Sequence, residues 1–375
     1  INEYNEGLSY VNIITTNSNY GVLSNVEGDF KLVLPKKFIS EKLIFSRVGY
    51  GNDTILVMDY LQNQIKEVIL KEKINSMDEV LIFGNRLDPY DILKKAKSKI
   101  KHNFVQGPYN QEIFFRMINY EDDSVVFKEE SNILLYDENG YKSRNHPYEN
   151  MYGEILSFKN SSKNSVGEKW DGVGALWLSI YRNVVLSKNN VLHKPRYYEL
   201  EIGDIYEYDN YEIYKIEFRC LKPIVASTGY GYPAPISAWG YVYITSEDYS
   251  VIEYEMIIDR SNMQDKRDKN NNIICQKIRI FQKFKKNNTG SLYCNYSQLY
   301  VNSNVENERN QITRNYYKFQ EFSSYYFTND ADELTMLKTP LIDIKNGLQL
   351  KNKGKENWLN KNYLPESNNL MRLCN

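Results

Sequence analysis

Three histidines, His102, His146 and His193, are all that 375 residues offer, so any metal or triad scheme must use nearly all of them. His146-Pro147-Tyr148-Glu149 satisfies the His-x-x-Glu spacing by which zinc hydrolases present two ligands, and His193 is the only later histidine for a third. Pro147 argues for a turn at that point, and no strand-to-helix setting accompanies the pair. A zinc-dependent hydrolase on His146, Glu149 and His193 is carried as the alternative reading. No His-Glu-x-x-His, Gly-x-Ser-x-Gly or Gly-x-x-x-x-Gly-Lys-[Ser/Thr] is present, which leaves metalloprotease, serine hydrolase and P-loop chemistry without their central residues. Asp and Glu are plentiful, but pairs such as Asp122-Asp123 and Glu129-Glu130 read as solvated strand ends. The main expectation is a chain with no catalytic residue, no metal and no cofactor.

The cysteines Cys220, Cys275, Cys294 and Cys374 show no Cys-x-x-Cys pairing, against a zinc ribbon or a redox dithiol. Mirror pairing of a hairpin about residue 288 sets Cys275 opposite roughly position 301, so a Cys275–Cys294 disulfide is not favoured. Gly229-Tyr230-Gly231 runs into Pro233 and Pro235 and opens no helix, so it lacks the N–H array of a phosphate cradle. With Tyr230, Tyr232 and Trp239 alongside, this loop can present rigid aromatics to a partner, or pack them on its own sheet.

The elements that must position these residues read mainly as strands. Forty-seven basic against 48 acidic side chains leave a net charge of −1, so no global field exists to hold nucleic acid or an anionic membrane. The 33 tyrosines favour half-buried pleated surfaces. No run approaches the roughly 18 apolar residues of a membrane span. The opening INEYNEGLSY lacks the basic start and apolar core of a signal peptide and reads as a chain trimmed at its start.

From Leu8 to Leu70 the runs YVNIIT, FKLVLP, LIFSRVGYG, DTILVM and QIKEVIL recur between turn residues, the spacing of a small all-β sandwich. Gly28 sits where a tight turn needs positive φ. Residues 75–87 read as a last edge strand and a linker. Asp88-Pro89 then starts a helix as N-cap and first residue, with Ile92, Leu93, Ala96 and Ile100 on one face. Its basic end KKAKSKIKH complements the helix dipole and reads as a solvated face rather than a phosphate patch. Beyond it the chain alternates in strands: QEIFFRMINY, SVVFKEESNILLYD, YEIYKIEFRC, AWGYVYIT, VIEYEMIIDR, CQKIRIFQKF, SLYCNYSQLYV and ITRNYYKFQEF. Trp170 to Ser187 is spaced as a helix, and residues 341–375, including Trp358, read as an extended tail that packs back on a domain.

The order GLSYVNI, GVLSNVEGDFKLVLP, KLIFSRVGYGNDTI, IKEVIL resembles the carboxypeptidase-D-like regulatory domain, a transthyretin-like sandwich of Bacteroidetes envelope proteins. That resemblance implies an accessory module without catalytic residues. DPYDILKKAKSKI, FFRMINY, KEESNILLYDENGY, YEIYKIEF and GYVYITSEDYSVIEYEM, over roughly residues 88 to 258, resemble proteins in which that sandwich precedes a LolA-like domain. It implies a curved antiparallel half-barrel with helices against its concave side, and a lipid or acyl chain as a candidate ligand there.

The expected architecture is thus mainly β with some α: a sandwich at 1–86, a LolA-like half-barrel with packed helices at 87–340, and a tail at 341–375. The expected function is a non-enzymatic binding or assembly module at the periplasm or outer-membrane periphery. It would contact an outer-membrane barrel or a lipoprotein, with no nucleic acid as partner.

Overall fold

Period-two patterning sorts the chain into two sheets. The computed structural model describes all residues except 18, 66, 76–86, 123, 161–171, 209–210, 232–233, 261–272, 308–311, 342–361 and 368–375. The first sheet holds β1 (Asn12–Thr15), β2 (Gly21–Leu23), β3 (Lys42–Ser46) and β4 (Asp53–Leu56) in the order β2-β1-β3-β4, all antiparallel. Ile13 pairs with Phe45 and Leu43 with Ile55, which sets an apolar face covered by Phe30, Tyr60, Val68 and Leu70. Gly28 takes φ +91° in a turn whose N–H groups at Glu27 and Asp29 donate to Asn25 Oδ1.

Three runs expected as strands differ, QIKEVIL among them, which forms no strand where it is described. FKLVLP lies extended outside any ladder, and DTILVM turns at Val57 into α1 (Val57–Gln62). The partner of FKLVLP is a side chain from far along the chain: Val33 N donates to Asn362 Oδ1 at 2.6 Å, and Asn362 Nδ2 donates to Val33 O at 3.3 Å. One amide thus replaces a neighbouring strand.

The remainder of the described chain forms β5 (Ile74–Asn75), α2 (Pro89–Asn103), β6 (Tyr109–Glu121), β7 (Ser124–Asp137), β8 (Met151–Asn160), α3 (Leu176–Tyr181), β9 (Tyr198–Tyr208), β10 (Tyr211–Cys220), α4 (Val225–Thr228), β11 (Ser237–Thr245), β12 (Val251–Asp259), β13 (Ile273–Lys286), β14 (Leu292–Asn307) and β15 (Ile312–Thr328). Their strands make one curved 11-stranded antiparallel sheet in the order β5-β9-β10-β11-β12-β13-β14-β15-β6-β7-β8. The expected mainly β fold, with a small N-terminal sheet and a large curved one, is what forms. β5, which the sequence groups with the sandwich, pairs with β9 in the large sheet, and the expected boundary at residue 86 lies outside the described residues.

This strand order dictates what fills the interior. β6–β8 attach beside β15, so the link from β8 to β9 must run from one end of the sheet towards the other, roughly 43 Å at ~4.8 Å per strand. That link carries α3, and it crosses the face we call inner. There Val173, Leu176, Ile180, Val184, Val191 and Leu192 pack with Ile113, Phe115, Ile216, Tyr254 and Ile280 in one core. Two fully buried glutamines pin the link to the sheet. Gln320 Nε2 donates to Ala175 O (2.9 Å) and Ser179 Oγ (2.6 Å), and Gln282 Oε1 accepts from Val184 N (2.9 Å). The helix expected from Trp170 to Ser187 stops at Tyr181, because Asn183 Oδ1 takes the N–H groups of Val185 and Leu186 into a turn. Trp170 lies outside the described residues.

α2 starts as expected, with Asp88 as N-cap accepting from Tyr90 N at 2.9 Å and Pro89 in the first turn. Ile92, Leu93 and Ala96 bury against the inner core, each large side chain contributing about 1.5–3 kcal/mol. Among the described residues no helix is long and apolar enough to cross a membrane.

Candidate functional site

The outer face of the large sheet is divided in two. Over β6, β15, β14 and β13 it is covered by the N-terminal sheet. Tyr10, in the left-handed region at φ 58°, inserts its ring between Phe281 (4.7 Å) and Tyr296 (5.2 Å). Its hydroxyl accepts from Gln298 Nε2 at 2.9 Å, and its carbonyl accepts from Lys283 Nζ at 3.0 Å. Lys283 in turn pairs with Glu253 at 3.0 Å, and burial holds its pKa down. Asn12 Nδ2 donates to the Tyr208 hydroxyl at 3.0 Å, and its Oδ1 accepts from Asn295 Nδ2 at 3.2 Å.

Residues 362–367 strap this junction. Arg116 is 1% exposed, and its guanidinium donates to Glu130 (2.9 Å), Glu321 (3.0 Å) and the carbonyl of Leu364 (2.5 Å). Burial pushes the Glu321 carboxyl up, opposed by Arg116 and by the Tyr296 hydroxyl, which donates to it at 2.7 Å. Lys128 pairs with Glu366, and Ser367 Oγ donates to Glu27 at 2.6 Å.

Over β9–β12 the outer face carries an open trough of about 480 Å³. Trp239, 36% exposed, and Tyr241 form its aromatic centre, with Glu199, Glu201, Glu217 and Glu255 around them. Glu255 is held by Arg279 at 2.5 Å and Glu217 by Lys215 at 2.6 Å. The rings continue from Tyr241 to Tyr243 (4.9 Å) and on to Tyr206 (5.5 Å), a row that leads towards the N-terminal sheet. The Tyr241 hydroxyl donates to Glu253 at 2.9 Å, which couples the trough to Lys283 and so to Tyr10.

A second recess lies at the inner-face rim. It measures about 510 Å³ and runs between α2 and the turns at 141–143 and 185–194. Ile100, Tyr141, Val185 and Leu186 give it apolar walls, and Lys97, Lys101, Lys142, Lys188 and Lys194 ring it. His193 Nε2 donates to Val185 O at 2.9 Å. Burial, with Lys97 and Lys188 nearby, lowers the imidazole pKa to about 4.

Of the three aromatics expected to meet a partner, the two that are described, Trp239 and Tyr230, lie on opposite faces of the large sheet. Trp239 faces outward, whereas Tyr230 packs on the inner core under the Arg182 guanidinium, 3.6 Å from its ring centre, and Tyr232 lies outside the described residues. The His-x-x-Glu segment forms a turn in which Glu149 N donates to His146 O, and the His146 ring stacks on Tyr148 at 5.6 Å. Among the described residues no three His, Cys, Asp or Glu side chains gather to hold a metal, so His146, Glu149 and His193 do not form a shared ligand set. Cys275 pairs in register with Asn304 and Cys294 with Phe284, and Cys294 is a buried free thiol. Tyr241 and the loop lysines were missed by sequence reasoning; only the basic run on α2 signalled the rim recess.

No curated protein sequence matches the chain. Two solved structures are similar to part of it. One is described as an outer membrane lipoprotein-sorting protein domain from Vibrio parahaemolyticus, at 8% identity over 66% of this chain and 95% of that chain, with a TM-score of 0.29. The other is a LolA superfamily protein from Nitrosomonas europaea, at 10% identity over 67% of this chain and 98% of that chain, with a TM-score of 0.26. The family model of the CarboxypepD_reg-like domain matches residues 1–82, the part that holds the N-terminal sheet and its covering segments.

Proposed function

We propose that the chain is a non-enzymatic binding or assembly module of a bacterial cell envelope, acting at the periplasm or outer-membrane periphery. Its partner would be a protein, an outer-membrane barrel or a lipoprotein assembly. The observation that carries this is the trough at Trp239 and Tyr241: an aromatic centre with a charged rim, on the part of the outer face that the described N-terminal domain leaves open. An exposed Trp backed by a half-buried Tyr in a polar surround is the kind of aromatic anchor that protein interfaces use. The CarboxypepD_reg-like domain at 1–82 supports an accessory role, and its tight fit on the other half of the face makes it a brace for the sheet rather than a swinging arm. The inner face is filled by the link through α3, so an acyl ligand is not assigned to the middle of the half-barrel.

The test is capture from a native envelope fraction by the full chain and by Trp239→Ser, which changes an exposed side chain and leaves the sheet pairing intact. The expected result is an envelope protein retained by the parent chain and reduced about tenfold or more with the variant. Equal retention by both chains, or binding confined to soluble cytoplasmic proteins, would overturn the proposal.

A further inference from the structure

The rim recess has a charge pattern that the outer-face proposal does not use. Five lysine side chains line it, from three separate parts of the chain: Lys97 and Lys101 on α2, Lys142 in the turn after β7, and Lys188 and Lys194 in the link to β9. Among the described residues no carboxylate lines it. Lysines on a solvated face are ordinarily interleaved with acids, since converging like charges cost free energy unless an anion offsets them. Two of the five are held in place by neutral acceptors, Lys97 Nζ on His193 O at 3.2 Å and Lys194 Nζ on Asn189 Oδ1 at 2.9 Å. Neither acceptor neutralises an ammonium.

The walls beneath the lysines are apolar: Ile100 from α2, the buried Tyr141 and Val185, and Leu186. They are also fixed. The Tyr141 hydroxyl accepts from Cys294 N at 2.6 Å, Val185 N is tied to Asn183 Oδ1 at 2.9 Å, and Val185 O is tied to His193. The imidazole between Lys97 and Lys188 is neutral at pH 7, as expected where a positive field converges and water is scarce. An apolar slot of ligand-pocket size under a ring of ammonium groups matches a molecule with an oily chain and an anionic head.

We infer that this recess is a binding site for a single-chain lipid phosphate, its acyl or alkyl chain against Ile100, Tyr141, Val185 and Leu186 and its phosphate among the five lysines. A dianionic phosphate suits several separate ammonium donors, which approach it as point charges from different directions. This inference stands apart from the outer-face trough, which is built from other residues on the opposite side of the sheet.

The experiment is calorimetric titration of the full chain with dodecyl phosphate below its micellar range. Decyl phosphate, inorganic phosphate and dodecyl maltoside serve as the shorter chain, the head alone and the chain alone. Dodecyl phosphate should bind at one site. Decyl phosphate should be about 15-fold weaker, from about fourfold per methylene, and either half alone at least about tenfold weaker. Lys101→Glu with Lys188→Glu should weaken dodecyl phosphate about tenfold or more. Lys101→Arg with Lys188→Arg, and Lys36→Glu on the N-terminal domain, should bind as the parent does. Trp239→Ser should have no effect, which separates failure here from failure of the outer-face reading. Binding of inorganic phosphate as tight as that of dodecyl phosphate, equal binding of dodecyl maltoside, or indifference to the double charge reversal would each overturn the inference.

Discussion

His193 is kept neutral by burial and by the ammonium groups of Lys97 and Lys188, with a pKa of about 4 against an ordinary 6.5. The unfolded chain therefore binds a proton between pH 6.5 and 4 that the folded chain refuses, and stability must fall as pH falls through that window. The loss attributable to this ring is about 2 kcal/mol by pH 5, with most of the sensitivity above the range where carboxylates titrate. Denaturant unfolding at pH 7 and pH 5 should show it. The difference should shrink in His193→Gln, whose amide can still donate to Val185 O. If the two chains lose stability equally, the imidazole is not the titrating group.

At the scale of elements, the strap at 362–367 is fastened chiefly through one guanidinium. Arg116 reaches Glu130, Glu321 and the Leu364 carbonyl from the middle of β6, so Arg116→Met would strand a buried carboxylate and free the strap together. The expected cost is about 3–5 kcal/mol, with faster hydrogen exchange at Val33, whose N–H depends on Asn362 of the same strap. Unchanged exchange at Val33 would refute the coupling. Such contacts were illegible in the sequence because Arg116 and Leu364 are 248 residues apart, and so was the fate of FKLVLP, whose alternation says extended but not what it pairs with. Local signals fared better. The Asp88-Pro89 cap, the ends of β7 and β10 and the turn glycine at 28 are set by neighbours a few residues away, and all were readable. The rim recess fell between these cases: KKAKSKIKH was visible as a basic run, but Lys142, Lys188 and Lys194 come to it only through the fold.

For the whole molecule, the two sheets behave as one body to the extent that Tyr10 and its neighbours hold them. Its left-handed backbone costs on the order of 1 kcal/mol, which the ring contacts with Phe281 and Tyr296 and the bonds to Gln298 and Lys283 outweigh. The parent chain should unfold in a single calorimetric transition, and Tyr10→Ala should lose about 3–5 kcal/mol and split off an earlier transition for the N-terminal domain. Two transitions already present in the parent would show that the sheets are independent. Tyr10 and Gln298 are 288 residues apart, and β6 waits for β15 over a similar stretch, Arg116 and Glu321 being 205 residues apart. At ribosomal speeds of about 5–20 residues per second, the first of these gaps keeps the nascent segment around Tyr10 without its docking surface for roughly 15 to 60 s. The emerging polypeptide must spend that interval escorted by a chaperone or loosely collapsed, so the N-terminal sheet gains its seat late in synthesis rather than as it first emerges.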